Sequence, residues 1–205
     1  GPFLCAIPDA PALDPDLPTP TVFAHSFMDA CTEEPAGCFG HLGDLMWFFP
    51  LTGPWLDKPI TVTESMAVGI QFYQFRRVIE EGPEHIVHSD ATTALAVLVG
   101  RPGCENTRYV SQRFRSDPLL AAAIDKSWAL HCAGILNGFA NAGSRSRFDE
   151  LFAVGAAMGR KLRWVPLNAD ALSFAHDVLH NTEPRPAVCS RCFKLRGVYV
   201  GFTVC

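Results

Sequence analysis

The sequence predicts an α/β protein with one five-stranded mixed sheet, an antiparallel meander followed by parallel strands, and helices on both faces. Three observations predict it. Short β-prone runs separated by turn residues crowd into the first quarter of the chain. A long run of helical period follows them, and strands and helices then alternate.

Each element has its own signal. Residues 3–20 (FLCAIPDAPALDPDLPTP) carry five prolines and no period, which reads as a linker or a strap over the surface. Thr21 to Ala30 is the first strand. Ala36 to Leu42 and Leu45 to Leu51 are the next two, with Gly43-Asp44 between them as a hairpin signal. In Thr61 to Ile79, Glu64, Val68, Phe72, Phe75 and Ile79 fall at helical spacing in a run apolar enough for a central helix. His85 to Asp90 reads as the fourth strand and Ala91 to Val99 as a helix. Residues 101–116 read as loop, 117–140 as a long helix opened by Asp117-Pro118, and 147–160 as another helix. Leu162 to Pro166 is expected as the fifth strand and Asn168 to His180 as the last helix.

Composition bounds the function. At 205 residues and 48% hydrophobic, the chain is long enough for one full core. No apolar run approaches the roughly 18 to 20 residues of a membrane span, and no signal-peptide pattern opens the chain, so an intracellular protein is expected. Gly1-Pro2 reads as the scar of a tag cleavage, residues 21–182 as the folded domain and 183–205 as a cysteine-containing extension. The eight cysteines are too dilute for a disulfide scaffold and read mostly as free thiols. Net charge is −4, but it is segregated: residues 1–100 hold 3 Lys/Arg against 13 Asp/Glu, and residues 101–163 hold 10 against 5. An acidic half that gathers cations beside a basic part that holds phosphates is what metal-dependent nuclease chemistry asks for.

Four acids stand at telling places. Asp29 ends the first strand in "FMDACTEEPAGCFG", Glu64 opens the central helix in "TVTESMAVGIQF", Asp90 ends the fourth strand in "VHSDATTA", and Asp170 opens the last helix in "VPLNADALS". Bland readings compete: Asp90 as a helix N-cap, Thr61 and Glu64 as a capping box, and Asp170 as a complement to the helix dipole with Asp177 as the alternative fourth acid. Asp44 and Asp57 read as turn residues.

This succession resembles the ribonuclease H fold, and within it the ribonuclease H domain of reverse transcriptases of hepadnaviral and DIRS-type retroelements. The resemblance covers about residues 21–180 and rests on four motifs in order, each weak alone. It implies a nuclease that hydrolyses the RNA strand of RNA/DNA hybrids with two magnesium or manganese ions. Asp29 would bridge both ions, Glu64 and Asp90 would complete one site, and Asp170 would hold the second. Glu64 would also sense the ribose 2′-hydroxyl. The implied partner is the reverse transcriptase domain of one polyprotein, in the nucleus or a retroelement particle.

The chain departs from the family pattern in three ways. The segment after the first acid is reduced to "GCFG", the stretch between Asp90 and Asp170 is long, and "AAMGRKLRWVP" lacks the histidine that aids product release, leaving Arg160 or Lys161 to substitute. Two alternatives follow: a weak or inactive binding module of the same fold, or a DNA-acting transposase or integrase relative. The early Glu64 argues against the second.

Hybrid contacts are expected from Arg145, Arg147, Arg160, Lys161 and Arg163, and from Arg108, Arg113 and Arg115 flanking Tyr109 and Phe114 in the expected loop. Trp128, inside the expected long helix, reads as core. A last constellation, His176 and His180 four apart on a helix followed by Cys189 and Cys192 in "CSRC", has the residue types of a structural zinc site, with free thiols, or a disulfide with Cys205 as one partner, as the competing readings.

Overall fold

The structure, a computed structural model, describes residues 23–184. The linker at 3–20 and the extension beyond Pro184, with Cys189 and Cys192, lie outside the described residues.

The meander forms as expected: β1 (Phe23–Cys31), β2 (Gly37–Leu42) and β3 (Leu45–Pro50) are antiparallel neighbours. Gly43 turns the β2–β3 hairpin at φ +57°, a conformation glycine adopts without strain. The chain then crosses through α1 (Ile60–Glu81) to β4 (Glu84–Ser89), which pairs parallel with β1. Next come α2 (Thr92–Leu98), α3 (Glu105–Arg115) and the short α4 (Ala121–Asp125). β5 (Ser127–His131) lies parallel beside β4. A 3-10 turn at Gly134–Asn137 leads into α5 (Gly138–Ser144) and α6 (Phe148–Ala157). Then β6 (Arg163–Trp164) pairs parallel with the start of β3, and α7 (Ala169–Asn181) closes the domain. The sheet has six strands in the order β5-β4-β1-β2-β3-β6.

Strand alternation divides the interior in two. Met28, Ala30, Cys38, Trp47 and Phe49 pack with Met66, Ile70, Phe72, Phe114 and Phe174 of the α1 side. Phe39 and Met46 point the other way and pack with Ala140, Ala142 and Leu151 of α5 and α6. Trp47 Nε1 donates to Gln71 Oε1 at 2.6 Å, and both side chains are buried, which pins α1 to the meander.

Four expectations are corrected. The helix expected over 117–140 breaks after Asp125, and five of its residues become β5, because parallel pairing with β4 outweighs a local Ala-rich helical preference. Trp128 therefore lies on an edge strand, 63% exposed, and donates to Glu84 Oε2 at 2.9 Å instead of filling the core. The expected fifth strand at 162–166 shrinks to two residues and joins the opposite edge of the sheet, beside β3. The expected loop at 101–116 contains α3, whose Thr107, Val110, Ser111 and Phe114 are buried at helical spacing and whose start is closed by reciprocal Cys104 and Thr107 contacts.

Candidate acidic site

Asp29, Glu64 and Asp90 converge at one end of the sheet. β1 and β4 are parallel neighbours, so their ends carry Asp29 and Asp90 to the same edge. α1 returns antiparallel to β1, with the Cys38 thiol donating to the Thr63 carbonyl at 3.5 Å, and so sets Glu64 at the same end. The bland readings of two acids do not hold. Ala91, not Asp90, is the N-cap of α2, and the Ser89 hydroxyl accepts from the Ala91 N–H. α1 begins at Ile60 after Pro59 with no side-chain cap, so Glu64 sits one turn inside it.

The electrostatics show the convergence. Burial, then the charges of Asp29 and Asp90, push the Glu64 carboxyl up to about 8, against a contact from Thr93 that favours its charge. Asp29 is 6% exposed and is also raised, first by burial and then by Asp90, while Ser144, Arg145 and the Ala30 N–H favour its charge. The Cys38 and Cys132 thiols are raised by burial and by the same carboxylates.

Segment 132–145 brings polar side chains to Asp29 and Asp90, and most of them carry no motif legible in the sequence. It follows β5, and the Cys132 N–H donates to the Ser89 carbonyl at 3.1 Å. The Ser144 hydroxyl donates to Asp29 Oδ2, and Arg145 donates to the same oxygen at 3.4 Å. Asn141 steadies Arg145 through its carbonyl and side-chain oxygens, each at 3.2 Å. Asn137 Nδ2 donates to the Met28 carbonyl at 3.1 Å and to Asp90 Oδ1 at 3.4 Å. Two glycines permit this close seating. A Cβ on Gly143 would stand 2.2 Å from the buried Phe39 ring, and one on Gly134 would stand 2.9 Å from Asp90 Oδ2. The signal for this segment lay in β5, which only the pairing with β4 reveals.

Along the strands leading to Asp29 runs a band of rings. His25 and His88 share a hydrogen bond at 2.9 Å, His88 stacks on Phe27, and Phe27 stacks on His41. Burial lowers His88 and His41 to about 4, so both are neutral at pH 7.

Asp170 does not join the cluster. It lies exposed in the first turn of α7, whose N-cap Asn168 donates through Nδ2 to the Tyr73 carbonyl and accepts on Oδ1 from the Ala171 N–H, while the Asn168 N–H donates to Gln74 Oε1. Those α1 residues are nine and ten positions beyond Glu64, about 15 Å along the helix axis. The cause is the docking of β6 on β3 rather than beside β4, which leaves Asp170 as a complement to the helix dipole. Asp177 is bound by Tyr109, Arg113 and Asn181 and is equally remote in role.

The basic residues divide. Arg145 pairs with Asp29 at the acidic site and is 42% exposed at its side chain, whereas Arg147, two residues on and 62% exposed, pairs with Glu150 at 3.8 Å. Arg160 is spent on Asp44 at 2.9 Å and on the Phe139 ring, so it is not a free phosphate contact, whereas the neighbouring Lys161 and Arg163 are exposed. Arg113 bridges Asp117 and Asp177, and Arg115 donates to the Leu98 carbonyl; both are structural, and with Arg108 they lie on α3 rather than in a loop. His176 and His180 share one exposed face of α7, with ring centroids 6.3 Å apart beside Trp55.

Among the described residues, no three His, Cys, Asp or Glu side chains are grouped closely enough to hold a metal ion as they stand. The donor set at the acidic site nevertheless suits a hard cation: its side chains offer oxygens, and two of its carboxyls are held above their usual range by burial and mutual repulsion. Among the described residues Arg145 is the cation paired with Asp29, at 3.4 Å, and a metal bound there would compete with it. No known family matches the chain, and no curated protein matches it.

Proposed function

We propose that the protein is a divalent-cation-dependent endonuclease that hydrolyses the RNA strand of RNA/DNA hybrids, with a ribonuclease H-like fold. The observation that carries the reading is the convergence of Asp29, Glu64 and Asp90, from a strand end, a helix start and the neighbouring strand end, where burial and the neighbouring carboxylates raise Asp29 and Glu64. The five strands from β3 to β5 also fit the meander-then-parallel sheet that the sequence resemblance implies.

A bound pair of magnesium or manganese ions would activate water and stabilise the leaving oxygen of an in-line displacement at phosphorus. Asp29 and Asp90 would hold that charge, and Glu64 would complete the set. Arg145, released from Asp29, and Arg147 beside it would meet the hybrid's phosphates. Among the described residues no helix is long and apolar enough to cross a membrane. A structural zinc on His176, His180, Cys189 and Cys192 is a separate proposal, tested by metal analysis of the purified protein and its Cys189→Ser variant.

One observation favours a second reading, a binding module with little turnover: Ser144 and Arg145 already occupy Asp29. Labelled hybrid incubated with protein and magnesium, alongside Asp90→Asn, separates the two. Cleavage of the RNA strand that disappears in the variant supports the nuclease. Binding without cleavage, or equal cleavage by the variant, rejects it, and cleavage of duplex DNA in preference to hybrid points to a DNA-acting enzyme.

A further inference from the structure

We infer that Asn137 supplies a neutral oxygen ligand to a cation held by Asp29, Glu64 and Asp90. The inference rests on the cation-dependent reading above and adds a residue to it.

Asn137 is 1% exposed. Its Nδ2 faces two acceptors, the Met28 carbonyl and Asp90 Oδ1, which settles which end of the amide is oxygen: the reverse orientation would set three acceptors against one another. Its Oδ1 is the one buried side-chain nitrogen or oxygen without a hydrogen-bond partner among the described residues. A buried polar atom left unpaired is destabilising, so its persistence beside a carboxylate cluster asks for a missing partner. A hard divalent cation is such a partner, since amide carbonyls are ordinary ligands for magnesium's and calcium's class of ion. The placement fits as well. Met28 precedes Asp29, so one amide ties the end of β1 to the carboxylate at the end of β4. A neutral ligand also adds no charge to carboxylates that already repel each other.

The test uses the full chain stripped of metal and Mn2+ alone as the probe, with free Mn2+ followed by electron paramagnetic resonance. Wild type is expected to bind Mn2+, and Asn137→Ala to bind it at least tenfold more weakly. Equal affinity in the two proteins, or no binding by wild type, overturns the inference; a water on Oδ1 in place of a metal gives that result. Should Asn137→Ala fail to unfold cooperatively, Asn137→Ser decides: its shorter side chain keeps a donor but withdraws the ligand oxygen, so it is expected to bind Mn2+ at least threefold more weakly, and unchanged or tighter binding overturns the inference. Hybrid cleavage by wild type is scored separately. Cleavage with an unaltered Mn2+ affinity in Asn137→Ala keeps the nuclease and removes the ligand. An Asn137-dependent affinity without cleavage keeps the ligand and removes the nuclease.

Discussion

Replacing Glu64 by glutamine should make the metal-free protein more stable at alkaline pH than wild type, by an amount that the site's electrostatics fixes. The Glu64 carboxyl is raised from 4.5 to about 8, mainly by burial and then by Asp29 and Asp90. A folded-state value above the unfolded one means that the folded state holds the proton more tightly. The associated stability is complete below pH 4.5 and is lost as pH rises toward and through 8. At about 1.4 kcal/mol per unit, the shift sets an upper bound of roughly 5 kcal/mol, and solvent relaxation in a partly open pocket reduces this to about 2–3 kcal/mol. Urea unfolding with chelator at pH 5 and pH 9 measures it. The stability difference between Glu64→Gln and wild type should grow in the variant's favour by that amount between the two pH values. A difference that stays constant with pH would refute the claim that Glu64 is half-buried against two other carboxylates. Magnesium should raise wild type toward the variant at pH 9, because a cation relieves the repulsion that glutamine removes.

Other outcomes follow from the same geometry. Asp29→Asn should abolish magnesium-dependent cleavage of a hybrid, whereas Asp170→Asn should retain most of it, since Asp170 is exposed and remote; comparable losses in both would restore Asp170 to the site. Arg145→Ala should tighten Mn2+ about two- to fivefold by removing a competing cation from Asp29, an effect scaled to a partly exposed ion pair, and weaker Mn2+ binding would refute the competition. Gly143→Ala forces a methyl group against the buried Phe39 ring and should cost about 1–3 kcal/mol in urea unfolding; an unchanged midpoint would contradict the tight seating of α5 on the sheet.

The meander, α1 and β4 were legible in the sequence because their signals are local. Gly43-Asp44 marks a hairpin, and the period through Glu64, Val68, Phe72 and Phe75 placed a helix over 61–79 that is found at Ile60–Glu81. The placing of Asp29 at a strand end beside apolar neighbours was legible for the same reason. β5 was not: Ser127–His131 takes its conformation from hydrogen bonds to β4, some forty residues earlier in the chain, and its Ala- and Leu-rich flanks favour helix locally. The reading of Trp128 as core failed with it, and Ser144 and Asn137 drew no notice, since their contacts depend on where the chain goes after β5.

By itself the sequence determined which residues carry charge, where strands end and helices begin, and hence that Asp29, Glu64 and Asp90 stand at element ends. Only the tertiary structure decided which ends meet. Strand order along the sheet is set by pairing between distant segments, and that order brought Asn137, Ser144 and Arg145 to the carboxylates while β6, docked on β3, carried Asp170 away from them.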